Sequence, residues 1–282
     1  MNTKEFSVLF SLSQAQEWLE DKELELKNLI FKECNSNEER ELICSLIERF
    51  TYLSMKNYCD AVDKLIDNVI SIDGLEDSNT TFAAMSADSG ADSSQYIIYD
   101  LKLILERKKW RKHKLKSRYT SAYDEFKKDS SYKNIVLIDE FVGSGQTVLG
   151  RIKTIKQQFG KANDGNYNLF VRTVASTKSG AETIRNAGID FESIITLERG
   201  ISDHYDSNSS EEKIGIMIQL EDILSKEYEG KEMPSLGYGK AESLYCRERG
   251  NTPNNVFPIF WWPFLAAGGE RDVILHRAMG DA

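Results

Sequence analysis

The sequence predicts an α/β protein whose open parallel sheet is flanked by helices, with a helical extension before it and a C-terminal extension after it. Short Val- and Ile-rich runs alternate with helical periodicity between about residues 76 and 200, and such alternation implies crossover connections between parallel strands. Residues 134–138 (NIVLI) are apolar after the first residue, as expected of a central strand covered on both faces. A hydrophobic fraction of 40% over 282 residues is sufficient for a packed core.

The first part of the chain, residues 1–75, is predicted to be a helical extension. Apolar residues return every three or four positions from about residue 13 to residue 72, which is the period of an amphipathic helix. Ser36 or Asn37 is the expected cap of an internal helix, because Glu39 follows at the spacing of a capping box.

The predicted core spans residues 76–200 and contains strands and helices in alternation. The expected strands are residues 80–85, 134–138, 167–176 and 191–197. The expected helices follow the first three strands, at residues 96–110 and 147–159 and in a short segment ending at Gly188.

Residues 201–282 are predicted to form a C-terminal extension packed on the core. A helix is expected at about residues 211–227, and all four prolines follow it. The dense segment RERGNTPNNVFPIFWWP leaves two interpretations open. Its aromatic residues either fix the tail to the core or form a stacking wall for a ligand, with Asn251, Asn254 and Asn255 reading a base or sugar edge.

Composition disfavours several functional classes. The net charge of −9 and the pI near 5.1 disfavour bulk attraction to nucleic acid. Four cysteines without a CxxC pair indicate neither a disulfide framework nor a zinc site, and no other metal-binding motif is present. The opening segment becomes acidic and amphipathic within a few residues, so we expect no signal peptide, no membrane span and a cytoplasmic location.

The segment IVLIDEFVGSGQT carries the chemistry of the predicted site. In open α/β sheets, ligands bind beyond the carboxyl ends of the strands, where the amides of a following helix are available to an anion. GSGQT has the glycines and hydroxyls of a phosphate nest. Neither GxxxxGK[ST] nor GxGxxG is present. Two carboxylates beside a phosphate nest suit a ligand with vicinal hydroxyls, such as a ribose 5-phosphate.

These thirteen residues resemble the PRPP-binding signature of the type I phosphoribosyltransferases, PRPP being 5-phosphoribosyl 1-pyrophosphate. The resemblance implies that Asp139 and Glu140 hold the ribose hydroxyls. It implies that the 5-phosphate is bound by five consecutive residues, Gly143, Ser144, Gly145, Gln146 and Thr147. Mg²⁺ is expected with PRPP. The motif loop and the tail GNTPNNxxPxFWW also resemble those of PRTase-CE, a divergent group of phosphoribosyltransferase-like proteins from bacterial conflict and defence systems.

The same resemblance implies two further parts of the site. The loop after the first core strand would bind pyrophosphate, with Asp88, Ser89 and Gly90 as its candidate residues, although Asp88 would repel pyrophosphate unless a metal bridges the two. His113 and Lys114 would act in a mobile hood and are the candidate catalytic residues together with Glu140.

His113 and Lys114 belong to a basic run, RKKWRKHKLKSR, which begins at Arg107 and ends at Arg118. Three interpretations of this run stay open. It is a solvated helix end, a catalytic hood, or a nucleic-acid contact in which Trp110 stacks on a base.

Two functions are therefore expected. In the first, the protein binds PRPP or a nucleotide-like relative within a bacterial antiphage defence or toxin–antitoxin system and, if active, transfers ribose 5-phosphate as a glycosyltransferase. In the second, the same fold is a non-catalytic sensor or scaffold that binds a protein or nucleic-acid partner.

Overall fold

The computed structural model describes residues 3–87 and 93–281. The chain divides into two compact units. The sheet unit is Lys56–Thr196, and the terminal unit combines Met1–Met55 with Leu197–Ala282. Each unit has its own hydrophobic cluster.

A parallel sheet forms the centre of the sheet unit, as the sequence predicts, and it has five strands instead of the four expected. The strands in chain order are β2 (Thr80–Ala84), β3 (Lys114–Lys116), β4 (Asn134–Val142), β5 (Asn168–Thr177) and β6 (Asp190–Leu197). Their spatial order is β3-β2-β4-β5-β6. The predicted apolar run is therefore the middle strand of the sheet, and it is buried from Asn134 to Ile138.

Helices cover the sheet because each crossover between parallel strands returns through one. They are α4 (Met55–Ile70), α5 (Ser93–Arg107), α6 (Ser121–Lys128), α7 (Gln146–Lys161) and α8 (Lys178–Asn186). Val148, Ile152 and Ile155 recur on one face of α7 and pack with Ile135 and Leu137 of β4. Helix α5 packs against β2 and β4.

The terminal unit joins segments from both ends of the chain. Its helices are α1 (Thr3–Ala15), α2 (Glu23–Asn28), α3 (Asn37–Glu48) and α9 (Ser207–Glu221). Its strands are β1 (Thr51–Leu53), β7 (Glu227–Tyr228), β8 (Lys231–Glu232) and β9 (Tyr245–Arg247). Strands β1 and β9 pair in parallel, and β7 pairs with β8 in an antiparallel hairpin.

The boundaries of these units differ from the predicted boundaries at residues 75 and 200. Leucines of the first three helices share one buried cluster with Phe257, Phe260, Trp261 and Trp262, so the two terminal segments form a common core. Helix α4 belongs to the sheet unit instead of the helical extension. The packing of the C-terminal extension on the sheet stays a prediction.

A local signal identified the start of one helix, whereas the ends of another were misplaced. Ser36 caps α3 in a capping box, because its hydroxyl accepts from the Glu39 amide and the Glu39 carboxylate accepts from the Ser36 amide. The helix predicted at residues 211–227 was wrong at both ends, since α9 begins at Ser207 and ends at Glu221. No helix in the described part of the chain combines the length and apolar content needed to cross a membrane.

Candidate ligand site at the end of strand β4

Sheet topology defines one crevice where a ligand can enter. If these five strands are numbered 1 to 5 along the chain, their spatial order in the sheet is 2-1-3-4-5. The chain therefore moves towards one edge of the sheet after β2 and towards the other edge after β4. Ligands of open α/β sheets bind at such a switch point, beyond the carboxyl ends of the strands. Pairing of β2 with β4 ends at Ala84 and Ile138, whereas β4 continues to Val142. The acidic pair and the glycine-rich loop therefore follow the point where the two strands separate.

The glycine-rich loop ends in an open helix N-terminus. Gly145 is the N-cap of α7 and has a left-handed φ of 77°, a conformation that glycine adopts without strain. Gly145 has no side chain that could cap this terminus, and Gln146 and Thr147 are exposed. The first-turn amides of a helix have no intrahelical partner and attract anions. This geometry suits a phosphate group.

Helix α8 supports the loop from behind. The Thr177 hydroxyl donates to the Gly143 carbonyl over 2.6 Å and accepts from the Gly180 amide over 3.0 Å. A Cβ atom at Gly180 would lie 1.9 Å from the Gly143 carbonyl oxygen, so only glycine permits this approach. Sequence analysis missed Thr177 and Gly180, because their role depends on a contact 34 residues away.

The two adjacent acids occupy different surroundings. Successive side chains of a strand point to opposite faces of the sheet, which separates the carboxylates of Asp139 and Glu140 and reduces their repulsion. Asp139 Oδ1 accepts from the Glu140 amide over 2.8 Å, and Asp139 Oδ2 lies 4.0 Å from Nη1 of Arg151 on α7. The Asp139 side chain is 15% exposed, whereas Glu140 is 3% exposed. Asp139 is thus the more accessible acid.

The acidic pair fits a divalent metal only in part. The described residues contain no group of three or more His, Cys, Asp or Glu that could hold a metal ion. Mg²⁺ usually keeps several waters and is held by one or two carboxylates together with substrate phosphates. Asp139 offers such a carboxylate, so the site suits Mg²⁺ that arrives with a phosphorylated ligand.

The predicted pyrophosphate loop is only partly described. Asp88, Ser89 and Gly90 lie outside the described residues. Ser86, which precedes them, accepts a hydrogen bond at its carbonyl from the Tyr119 amide over 3.3 Å. Tyr119 therefore lies beside the end of β2, at the carboxyl end of the sheet.

The structure does not bring His113 and Lys114 to the acidic pair. Lys114 pairs with Thr81, and Thr81 pairs with Ile135, so Lys114 is level with a residue four positions before Asp139. At a strand rise of about 3.3 Å per residue, four positions are about 13 Å along the sheet. Lys114 Nζ instead lies 4.7 Å from the centre of the Tyr132 ring.

His113 is held in a packed environment. Its Nδ1 is 2.8 Å from the Trp110 carbonyl, which can only accept, so Nδ1 carries the proton. Its ring lies edge-on to Phe82, 6.0 Å between centroids. Burial lowers the pKa of His113 and so favours the neutral imidazole. A neutral, fixed histidine is a poor partner for a departing pyrophosphate.

The remainder of the basic run is largely paired. Lys108 Nζ is 2.6 Å from Asp67 on α4, Arg111 is 2.8 Å from Glu106, and Lys116 contacts Glu125. Trp110 packs against Phe82 instead of standing free. Part of the run forms edge strand β3, which the sequence analysis did not predict. These contacts favour the solvated-surface interpretation over the hood.

The aromatic tail is a packing element. Phe257, Phe260, Trp261 and Trp262 are at most 1% exposed, and the Trp261 indole N–H donates to the Val256 carbonyl over 2.9 Å. The Asn255 side chain donates to the Tyr238 carbonyl over 2.8 Å. The tail thus completes the core of the terminal unit.

A parallel α/β sheet with an acidic pair and a phosphate-type loop at its switch point defines a protein of the phosphoribosyltransferase-like class. The PRTase-CE family model matches residues 15–266. The chain therefore belongs to the PRTase-CE family, as the resemblance of its motif loop and tail suggested.

Several solved structures are similar to part of the chain, all at low identity. Xanthine-guanine-hypoxanthine phosphoribosyltransferase from Helicobacter pylori is 12% identical over 52% of this chain and 84% of its own, with a TM-score of 0.32. Orotate phosphoribosyltransferase from Aeropyrum pernix is 15% identical over 57% of this chain and 76% of its own, with a TM-score of 0.32. A Neisseria gonorrhoeae protein with bound ppGpp is 13% identical over 60% of this chain and 96% of its own, with a TM-score of 0.32. The comparison with curated proteins found no match.

Proposed function

We propose that the site at the end of β4 binds PRPP or a related ribose 5-phosphate. The observation that carries this proposal is the uncapped, exposed N-terminus of α7, which follows the acidic pair within one loop. The amides and hydroxyls from Gly143 to Thr147 would bind the 5-phosphate. The carboxylates of Asp139 and Glu140 would accept from the ribose hydroxyls, with Asp139 as the more accessible of the two.

Mg²⁺ would be held jointly by the protein and the ligand. Asp139 would supply a carboxylate, and the phosphates of PRPP would supply further oxygens. When bound, the ion would offset the negative charge of the pyrophosphate. Competition for Asp139 comes from Arg151, but the 4.0 Å separation of that pair indicates a contact that a bound cation can replace.

Whether the ligand is consumed separates two versions of this proposal. In an enzyme, the bond between C1 of the ribose and pyrophosphate would break, C1 would bond to a nucleophile, and pyrophosphate would leave, so that the 5-phosphoribosyl group is transferred. In a sensor, PRPP or a nucleotide would bind without reacting. One finding favours the sensor: of the three predicted catalytic residues, only Glu140 belongs to the motif strand. Lys114 is level with a residue about 13 Å before Asp139 along the sheet, and His113 precedes Lys114.

The biological setting is a proposal that rests on the family alone. Members of the PRTase-CE group occur in bacterial conflict systems, so we propose a cytoplasmic role in antiphage defence with a protein partner. A nucleic-acid partner at the basic run is less well supported, because three of its cations, Lys108, Arg111 and Lys116, already pair with carboxylates. Phage plating on bacteria that express the native locus or its Thr147→Ala variant tests the setting: equal protection by both would contradict a defence role for this site.

Calorimetric titration with PRPP and Mg²⁺ tests the binding proposal. We expect the wild type to bind and the Asp139→Asn and Thr147→Ala variants each to lose about tenfold or more in affinity, because each loses a polar group that faces a charged or hydroxylated ligand. Thr154→Ala, on the same helix, is the matched control. A pyrophosphate-release assay with nucleobases and nucleic acids then distinguishes enzyme from sensor.

A further inference from the structure

A cavity of about 680 Å³ in the terminal unit has a chemically distinctive lining that the motif site does not use. Its volume falls within the range of about 300–1,000 Å³ that is usual for small-molecule sites. Tyr238, Lys240 and Asn254 line it, and the tryptophan pair Trp261 and Trp262 lies on its inner side. The aromatic tail therefore has a second possible role besides packing.

One wall of the cavity is a backbone segment with an unusual conformation. Leu236, Lys240 and Glu242 have left-handed φ values of 61°, 51° and 47°, which residues with side chains rarely adopt. Such conformations persist only where the surroundings enforce them, and they cluster at ligand sites. Glu221 provides part of this support, because its carboxylate accepts from the Leu236 amide and from the Ser235 hydroxyl, the latter over 2.6 Å.

Two further contacts hold the same segment in place. A Cβ atom at Gly237 would lie 2.0 Å from the Asn255 carbonyl oxygen, so only glycine permits the backbone at residue 237 to approach the backbone at residue 255 this closely. The Asn255 side chain donates to the Tyr238 carbonyl over 2.8 Å. Carboxylate and amide contacts thus fix the wall, and the cavity is formed before any ligand arrives.

The side chains at the cavity combine a free cation with exposed aromatic surface. The Tyr238 side chain is exposed, at 55% for the residue, although its backbone is held. The ammonium of Lys240 has no partner among the residues that the structure describes. Lys231 Nζ donates to the Gly280 carbonyl over 2.7 Å, and Glu232 adds one negative charge to the lining. Lys240 is thus the cation that remains available for a ligand.

We propose that this cavity binds a small aromatic anion, meaning a molecule that combines a planar ring system with one phosphate or carboxylate group. Tyr238 would stack on the ring, and Lys240 would pair with the anionic group. The buried indole N–H of Trp262 donates to no acceptor in the described part of the chain, which leaves one donor beside the cavity for an occupant or a water molecule. This site is independent of PRPP binding by the sheet unit.

Calorimetry with four probes tests this proposal in an Asp139→Asn, Thr147→Ala background, which removes the motif site from the measurement. Adenosine 5′-monophosphate and salicylate are the aromatic anions, adenosine is the uncharged aromatic probe, and inorganic phosphate is the anion without a ring. We expect saturable binding of one or both aromatic anions below about 1 mM and much weaker binding of the other two probes. Which of the anions binds identifies the anionic group.

Two substitutions then assign the binding to the cavity. Lys240→Gln removes the charge but keeps the length, and Tyr238→Ala removes the ring; each should weaken binding by about tenfold or more. Lys102→Gln and Tyr99→Ala are matched controls, because these residues form an exposed Lys–Tyr pair 5.3 Å apart on α5. The proposal is overturned if neither anion binds, if adenosine binds as tightly as its monophosphate, or if the cavity variants bind like the controls.

Discussion

The Thr177 hydroxyl donates a hydrogen bond of 2.6 Å to the Gly143 carbonyl and thereby fixes the motif loop to the start of α8. The same hydroxyl caps α8 by accepting from the Gly180 amide. One buried side chain therefore couples the shape of the phosphate loop to the stability of a neighbouring helix. Thr177 is 2% exposed, so water cannot replace it.

Thr177→Val tests this coupling. The variant keeps the shape of the side chain but leaves the Gly143 carbonyl and the Gly180 amide without their partner, which should lower the free energy of unfolding by about 1–3 kcal/mol. Affinity for PRPP should fall as the loop loosens. Thermal unfolding and calorimetry measure the two effects, and Thr177→Ser, which restores the hydroxyl, should recover most of both.

Gly180→Ala tests the close approach of the same two segments. The new methyl would lie 1.9 Å from the Gly143 carbonyl oxygen, so the loop or the helix must move, at a stability loss of about 1–3 kcal/mol. Gly150→Ala on α7 is the control: its Cβ meets nothing within 4 Å, and the helix should gain about 0.5–1 kcal/mol. Equal denaturation midpoints for the two variants would argue against a tight contact.

The buried carboxyl group of Glu221 should make the free energy of unfolding depend on pH. Burial raises its pKa to about 7 from an ordinary value of 4.5, so the folded protein retains a proton that the unfolded chain releases. The retained proton therefore stabilises the fold fully below the pKa that Glu221 has in the unfolded chain. This stabilisation, on the order of 3 kcal/mol, is lost as pH rises through about 7.

Glu221→Gln should remove that dependence, because the amide carries no titrating proton. Urea unfolding measured between about pH 5 and pH 8 checks the slope. The wild type should become less stable relative to Glu221→Gln as pH rises. The control is Glu212→Gln on the exposed face of α9, which should retain the slope of the wild type; parallel curves for all three proteins would exclude Glu221 as the titrating group.

Arg271 and Glu33 join the two ends of the chain within the terminal unit. Their closest atoms are 2.6 Å apart, and the side chains are 4% and 15% exposed. Arg271→Met leaves a largely buried carboxylate without its partner, so we expect a loss of about 3–5 kcal/mol. Arg111→Met is the comparison, because its pair with Glu106 is exposed and should be worth about 1 kcal/mol or less. Similar losses in both would contradict a shared terminal core.

The sequence predicted those features that depend on local patterns. The apolar run before Asp139 identified the central strand. Ser36 and Glu39, which are three residues apart, identified the start of a helix. Features that depend on distant contacts were not predicted. Strand β1 pairs with β9 almost two hundred residues later, and nothing near Thr177 in the sequence indicates that Gly143 is its partner.

The position of the basic run in the sheet could not be predicted from its sequence. The family resemblance implied that His113 and Lys114 act in a hood over pyrophosphate, but neither a resemblance nor a charge pattern determines sheet register. The pairing of Lys114 with Thr81 depends on how β3 adds to the sheet edge, and the three-residue KLK strand is too short for its alternation to identify it.

A crystal structure with PRPP and Mg²⁺ would test ligand binding at the end of β4. We expect the 5-phosphate within hydrogen-bond distance of the amides of Gly145, Gln146 and Thr147, and the ribose hydroxyls at Asp139 or Glu140. A ligand bound elsewhere, or no ligand density at saturating PRPP in a protein that keeps this loop conformation, would contradict it.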